Sequence, residues 1–177
     1  MSQNKADTNA SIQQPSSAKP GGTELSVAER ALIDHEISLV PYRKAAVIEA
    51  LKIVQQNRRW VSDESLDAIA RYLDMNAAEV DSVATFYNLI FRRPVGRHVM
   101  LLCDSVSCYI MGCTELYRSL QQRLGIEFGH TTSDNRFTLL PNCCLGCCDH
   151  APALMIDDDL YRDVKPMELE GILKHYE

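Results

Sequence analysis

His98-Val99-Met100-Leu101-Leu102-Cys103 is an apolar run of strand length that ends on a cysteine. Beyond it, Asp104-Ser105-Val106-Ser107-Cys108 carries a second cysteine, and Leu116, Tyr117, Leu120 and Leu124 then recur at helical spacing up to Gly125. A strand, a cysteine-bearing turn and an amphipathic helix make the first part of a crossover unit. Residues 137–140 give the next strand, halted by Pro141, and residues 153–156 a third after Pro152. Asp157-Asp158-Asp159 marks a turn, residues 160–164 a fourth short strand, and Pro166 opens a last helix with Leu169, Ile172 and Leu173. The order β-α-β-β-β-α predicts a small sheet flanked by helices. The Asp157-Asp158-Asp159 run lacks the spaced ligands and terminal Glu of a calcium loop, so it is expected to be a solvated hairpin turn.

Upstream of this thioredoxin-like plan, which covers residues 94–177, the period is helical. Over residues 25–93, Ser26-x-x-Glu29 is a capping box for a helix reaching Val40-Pro41. Val47, Ala50, Leu51 and Val54 mark a second helix, and Leu66, Ile69, Ala70 and Leu73 a third. Asn76-x-x-Glu79 caps a fourth over residues 80–91, ended by Arg92-Arg93-Pro94. Trp60, Phe86 and Tyr87 are expected in the core or an interface. Residues 1–24, rich in Ser, Gln, Asn, Thr, Pro and Gly, read as a disordered tail, and deleting residues 1–22 is expected to leave assembly unchanged. The fold class is therefore α+β, an N-terminal helical bundle followed by a thioredoxin-like domain.

The chain has 177 residues and a net charge of −6, which argues against a nucleic-acid binder. Residues 1–96 contribute −1 and residues 97–177 contribute −5, so the cysteine-bearing half is the acidic one. Neither a secretory signal nor an apolar run long enough to span a bilayer is present, and a soluble, cytoplasmic protein is expected. All seven cysteines, at 103, 108, 113, 143, 144, 147 and 148, lie in this half. An odd number crowded this way in a reducing compartment reads as metal ligands or redox groups rather than a disulfide framework.

Spacing alone leaves the pairing open, because x4 pairs occur twice in the first group and x3 pairs twice in Cys143-Cys144-Leu145-Gly146-Cys147-Cys148. Cys113 precedes Leu116, Leu120 and Leu124 on the same stripe and is assigned to the core. Cys103 then ends a strand and Cys108 stands just before a helix N-terminus, whose amides favour a thiolate. Gly146 frees the second loop to turn its amides toward sulfur. Both loops follow strands, so four thiolates can converge at one end of a parallel pair. Tetrahedral zinc usually takes C-x2-C pairs, which these are not; a [2Fe–2S] cluster can take one iron per loop. Structural zinc and dithiol chemistry through Cys144-x-x-Cys147 remain the alternatives.

The elements Cys103-Asp104-Ser105-x-x-Cys108-x-x-x-Gly112, Thr138-Leu139-Leu140-Pro141 and Cys144-Leu145-Gly146-x-Cys148-Asp149 resemble the 24-kDa subunit family of respiratory complex I, in bacteria the NADH–quinone oxidoreductase. The resemblance continues through Glu49-Ala50-Leu51-Lys52-Ile53-Val54-Gln55, Trp60-Val61 and Val83-Ala84-Thr85-Phe86-Tyr87, and spans residues 25–177. It implies a thioredoxin-like [2Fe–2S] domain with Cys103, Cys108, Cys144 and Cys148 as ligands. Position 147 is usually not cysteine in that family, so Cys147 and Cys143 could serve as substitute ligands.

The resemblance also implies a one-electron carrier beside a flavin- and NADH-binding subunit, with other peripheral-arm subunits of complex I around it. The complex would hold it on the cytoplasmic side of the inner membrane, without direct membrane insertion. Subunits of NAD-linked formate dehydrogenases and NAD-reducing hydrogenases resemble it as well, and a free thioredoxin-like ferredoxin is a further alternative. No G-x-G-x-x-G loop is present, so neither an NADH nor an FMN site is expected on this chain. Tyr87, Phe91 and Arg92-Arg93 are candidates for partner contacts.

Overall fold

A computed structural model of the chain describes residues 24–176. The expected tail therefore lies, apart from Glu24, outside the described residues. By compactness the chain divides after Val80 into two units, with the division inside a helix, whereas the change of sequence period falls at Arg93-Pro94.

The first unit is helical. Helix α1 (Val27–Ser38) opens on the capping box: Ser26 Oγ accepts from the Glu29 amide at 3.1 Å, and Glu29 Oε2 accepts from the Ser26 amide at 2.7 Å. A single 3₁₀ turn leads into α2 (Val47–Arg58), which ends where Arg59 turns left-handed at φ 76°. Helix α3 (Asp63–Tyr72) starts on Ser62, whose hydroxyl accepts from the Ser65 amide at 3.2 Å. Ile33, Ala50, Leu51, Val54, Val61, Ile69 and Leu73 fill the interior of this unit.

One ion pair lies within that interior. Arg58 donates to both oxygens of Glu29 at 2.8 Å, to Ser65 Oγ at 3.0 Å and to the Glu24 carbonyl at 2.7 Å. A buried pair so fully satisfied fixes which faces of α1, α2 and α3 meet. The capping box pointed to Glu29, but nothing in the local pattern pointed to its partner.

Helix α4 (Ala77–Phe86) carries the second capping box, Asn76 with Glu79. It ends earlier than the expected residue 91, because the chain turns at Tyr87, whose carbonyl accepts from the Ile90 amide at 2.9 Å. Phe86 is 80% exposed and Tyr87 42%, so neither is a core residue of the described chain, and Trp60 is half-buried. Arg92, a candidate partner contact, holds Asp81 at 3.0 Å.

The second unit is a five-stranded mixed sheet in the order β2-β3-β1-β4-β5, with β1 (His98–Cys103) at its centre. Residues 99–103 are all buried, as a strand covered on both faces requires. After β1 come α5 (Val106–Ile110) and α6 (Cys113–Leu124), which return the chain through β2 (His130–Thr131) to β3 (Phe137–Asn142). Gly125 closes α6 in the left-handed conformation at φ 67°. β3 runs parallel to β1, and β4 (Leu154–Ile156) pairs antiparallel on its other side, followed by β5 (Asp159–Tyr161) and α7 (Leu169–Lys174). Met100, Leu102, Leu116, Leu120, Phe137 and Leu154 anchor the core between sheet and helices.

Three expectations change. Pro141 does not halt β3: it pairs with Leu102 inside the strand. The Leu139 carbonyl, which accepts from Gly129, faces β2; two residues on, Pro141 faces the same way but past the end of β2, so its missing N–H removes no ladder bond. β2, only two residues long, gave no periodic signal. Asp157 is not merely solvated, since its carboxylate accepts from the Val99 amide at 2.9 Å and meets His98 Nδ1 at 2.6 Å, tying the β4–β5 turn to β1. Among the described residues no helix is long and apolar enough to cross a membrane.

Candidate metal centre

The register of the parallel pair brings the two cysteine loops together. Cys103 stands opposite Asn142, and each strand then leaves the same end of the sheet. The Asp104 amide still donates to the Asn142 carbonyl at 3.0 Å, and the Cys103 amide donates to the Ala153 carbonyl at 3.1 Å, so the root of the first loop is held from both sides.

Cys103 and Cys108 are buried. Cys108 lies inside α5, not ahead of a helix N-terminus. Gly112, at φ 102°, breaks the chain between two helices, so Cys113 rather than Cys108 opens α6. Cys108 therefore points inward from a single helical turn closed by bonds from Tyr109 N–H to Ser105 and from Met111 N–H to Ser107. Cys113 is buried as expected, but it packs with Cys103, Cys108, Cys147, Ala151 and Ala153 rather than with the leucines of its helix.

In the second loop Cys143, Cys144 and Cys148 are exposed and Cys147 is buried. Cys144 Sγ and Cys148 Sγ lie 3.5 Å apart. Gly146, at φ 78°, turns its amide back to donate to Cys144 Sγ at 3.3 Å, a conformation that a side chain would strain. Asn142 Nδ2 donates to the Cys144 carbonyl at 2.9 Å, and Asn142 Oδ1 accepts from Asn88 Nδ2 at 2.6 Å. At the loop's far end His150 Nδ1 meets Asp163 Oδ2 at 2.9 Å.

Ser105 is the residue that sequence reasoning missed. Its Oγ accepts from Cys103 Sγ at 3.3 Å, and its hydroxyl also favours charge on Cys108 and on Cys148 of the other loop. Its place two residues after Cys103, just ahead of a helical turn, was the available signal. Burial disfavours a charge on Cys103, yet the Ser105 hydroxyl and amide, the Cys108 thiol and the Leu145 amide hold its pKa below the ordinary thiol value. Burial and the hydrogen bond to Cys103 push the Cys108 thiol up. The hydrogen bond with Cys144 and the charge there push up the exposed Cys148 thiol. Burial does the same to Cys147 and Cys113.

Between Cys103 and Cys108, then, one sulfur gains its charge at its neighbour's expense, and a cation would draw out the remaining protons. Metal–sulfur bonds of about 2.3 Å in tetrahedral geometry place sulfurs about 3.8 Å apart. The Cys144–Cys148 separation of 3.5 Å is close to that, so the donor set fits a thiolate-held metal group. Among the described residues no three His, Cys, Asp or Glu side chains are arranged around a single ion; the sulfurs come in pairs.

A thioredoxin-like sheet with thiols gathered in two loops at the end of its central parallel strands defines a class of small metal-centre proteins. The chain belongs to the thioredoxin-like [2Fe-2S] ferredoxin family, which it matches over residues 33–177. It is 53% identical over 152 residues to the E subunit of NADH-quinone oxidoreductase from Pseudomonas aeruginosa (strain PAO1), covering 86% of this chain and 92% of that one. The corresponding protein of Escherichia coli (strain K12), which bears the same name, is 50% identical over 153 residues, with the same two coverages of 86% and 92%. Among solved structures, a chain of an NAD+-reducing [NiFe]-hydrogenase in its H2-reduced state shares the fold with a TM-score of 0.64 at 22% identity. That match covers 73% of this chain and 22% of the hydrogenase chain, so this protein spans about a fifth of it.

Proposed function

We propose that this chain is the iron–sulfur electron-carrier subunit of the NADH-oxidising module of an NADH–quinone oxidoreductase, with Cys103, Cys108, Cys144 and Cys148 holding one [2Fe–2S] cluster. The observation that carries this reading is the register of β1 against β3, which sets Cys103 opposite Asn142 and so delivers both cysteine loops to one point. Identity of about half to two relatives that bear the name of an NADH-quinone oxidoreductase subunit, over nine-tenths of their length, supports the choice of complex. The hydrogenase likeness, at 22% identity, carries the fold alone and does not favour that alternative.

Such a cluster, when bound, accepts and returns one electron at a time. The chain's own residues supply the rest. Buried Cys103 and Cys108 exclude water on one side, while exposed Cys144 and Cys148 leave the other open to a partner. Amides of Leu145 and Gly146 donate toward sulfur, and the Ser105 hydroxyl, which accepts from the Cys103 thiol, would donate to it once it is a metal-bound thiolate; together they would spread the negative charge that an added electron brings. The acidic balance of residues 97–177 opposes that charge and holds the potential low.

A flavin- and NADH-binding subunit is the electron donor in this reading, since the chain carries no phosphate-cradling glycine loop. Other peripheral-arm subunits complete the surroundings, on the cytoplasmic face of the membrane. The test is an anaerobic preparation of the chain, free and co-produced with its partner subunits, with iron, sulfide and zinc quantified and absorption and spin-resonance spectra recorded. Two irons and two sulfides per chain, with a spin signal on dithionite reduction, are expected; colourless protein carrying zinc overturns the proposal.

A further inference from the structure

A fifth sulfur lies at the same place and has no role in that assignment. Cys147 is only 6% exposed and packs in one group with Cys103 and Cys108, whereas its neighbour Cys148 is exposed. The residues that close this group are Cys113, Ala151 and Ala153, with Leu145 and Leu160 against them. Among the described residues no hydrogen bond to the Cys147 thiol is formed, although it is buried. A buried polar group is normally given a partner. The other sulfurs packed in one group with this one are those of Cys103, Cys108 and Cys113.

Gly146, directly before Cys147, is left-handed with open space where a side chain would be, and Cys143 and Cys144 before it are exposed. Cys147 and Cys148 are adjacent in the chain, so exchanging one for the other changes the span from Cys144 by a single residue. We propose that Cys147 is a resident alternative ligand of the metal centre, able to take the position of Cys148 and complete a set with Cys103, Cys108 and Cys144. This inference rests on the proposed cluster assignment. In the exchange the Cys147 thiol would give its proton to the departing Cys148 thiolate as its sulfur takes the vacated place on iron, so one iron–sulfur bond replaces another, the proton stays within the pair and no electron moves. Cys113, buried in the same group, is not equivalent: although Gly112 precedes it, it is the first residue of α6 and is not a chain neighbour of Cys148.

The experiment compares full-length wild type, Cys147→Ala, Cys148→Ala and the double replacement, purified anaerobically, by iron and sulfide content and by spin resonance after reduction. Cys147→Ala is expected to keep the wild-type signal. Cys148→Ala is expected to keep two irons and two sulfides with a displaced signal, and the double variant to keep none. Loss of iron from Cys148→Ala, folded or not, overturns the inference, as does retention in the double variant, which would place the substitute sulfur elsewhere. Wild type without iron would instead overturn the cluster assignment itself, so the two failures are distinct.

Discussion

Asn142 and Cys144 are joined by a 2.9 Å hydrogen bond from the amide of one to the carbonyl of the other, at the point where β3 becomes the second cysteine loop. The same buried Asn142 accepts from Asn88, so the loop, the strand end and the turn after α4 share one side chain. Asn142→Ala leaves the Cys144 carbonyl and the Asn88 amide without that partner, at a cost of about 1–3 kcal/mol. The midpoint of thermal unfolding should fall, and iron content per chain should fall with it; an unchanged midpoint would show that water replaces the side chain.

The cysteines separate into those expected to hold metal and those expected only to pack. Cys103→Ala and Cys144→Ala should each abolish the visible chromophore, while Cys113→Ala should retain it at a packing cost of about 1 kcal/mol. Absorption of anaerobically purified variants checks this, and the reverse pattern would refute the ligand assignment.

Ser105 Oγ lies 3.3 Å from Cys103 Sγ, and its hydroxyl favours charge on Cys148 of the other loop. A donor aimed at ligand sulfur stabilises the reduced state, which carries one more negative charge. Ser105→Ala should therefore lower the reduction potential by some tens of millivolts, given about 59 mV for each tenfold change in a one-electron equilibrium. A redox titration followed by spin resonance measures the shift. A rise in potential, or none, would show that the hydroxyl donates nothing to the cluster's sulfurs.

Most of the sheet was legible because β1 is a run of apolar residues ending on Cys103, and because α6 carries its leucines at strict spacing up to Gly125. What escaped was fixed by tertiary contacts. α5 is one turn of helix held by Ser105 and Ser107 carbonyls, too short to have a period, and so Cys108 was expected outside a helix. Pro141 sits in a strand because its edge is unpaired there, which only the sheet order reveals. At the site, the candidate cysteines were visible as letters, but the inward turn of Cys147 follows a loop conformation set at Gly146, and the approach of Ser105 to Cys103 depends on the short turn of α5. The Glu29–Arg58 pair was hidden because its members lie far apart in sequence, on different helices.

That pair makes the helical unit sensitive to acid. Burial raises the pKa of Glu29, but the Arg58 hydrogen bonds, the Ser26 amide and the Arg58 charge outweigh it and hold the carboxyl below the ordinary glutamate value of about 4.3. A depressed folded-state pKa contributes stability that is fully present above the unfolded value and is lost as pH falls through the folded one. Stability of the chain should thus be insensitive to Glu29 near neutrality and fall below about pH 4. Glu29→Gln removes the charge while keeping the shape, leaves Arg58 buried without its counter-ion, and should cost about 3–5 kcal/mol at pH 7. The difference between variant and wild type should shrink on acidification, as the wild-type carboxyl takes up its own proton. Urea unfolding followed by circular dichroism between pH 7 and 3 checks both. A gap that stays constant with pH would mean that Glu29 acts through its cap on α1 and not through its charge.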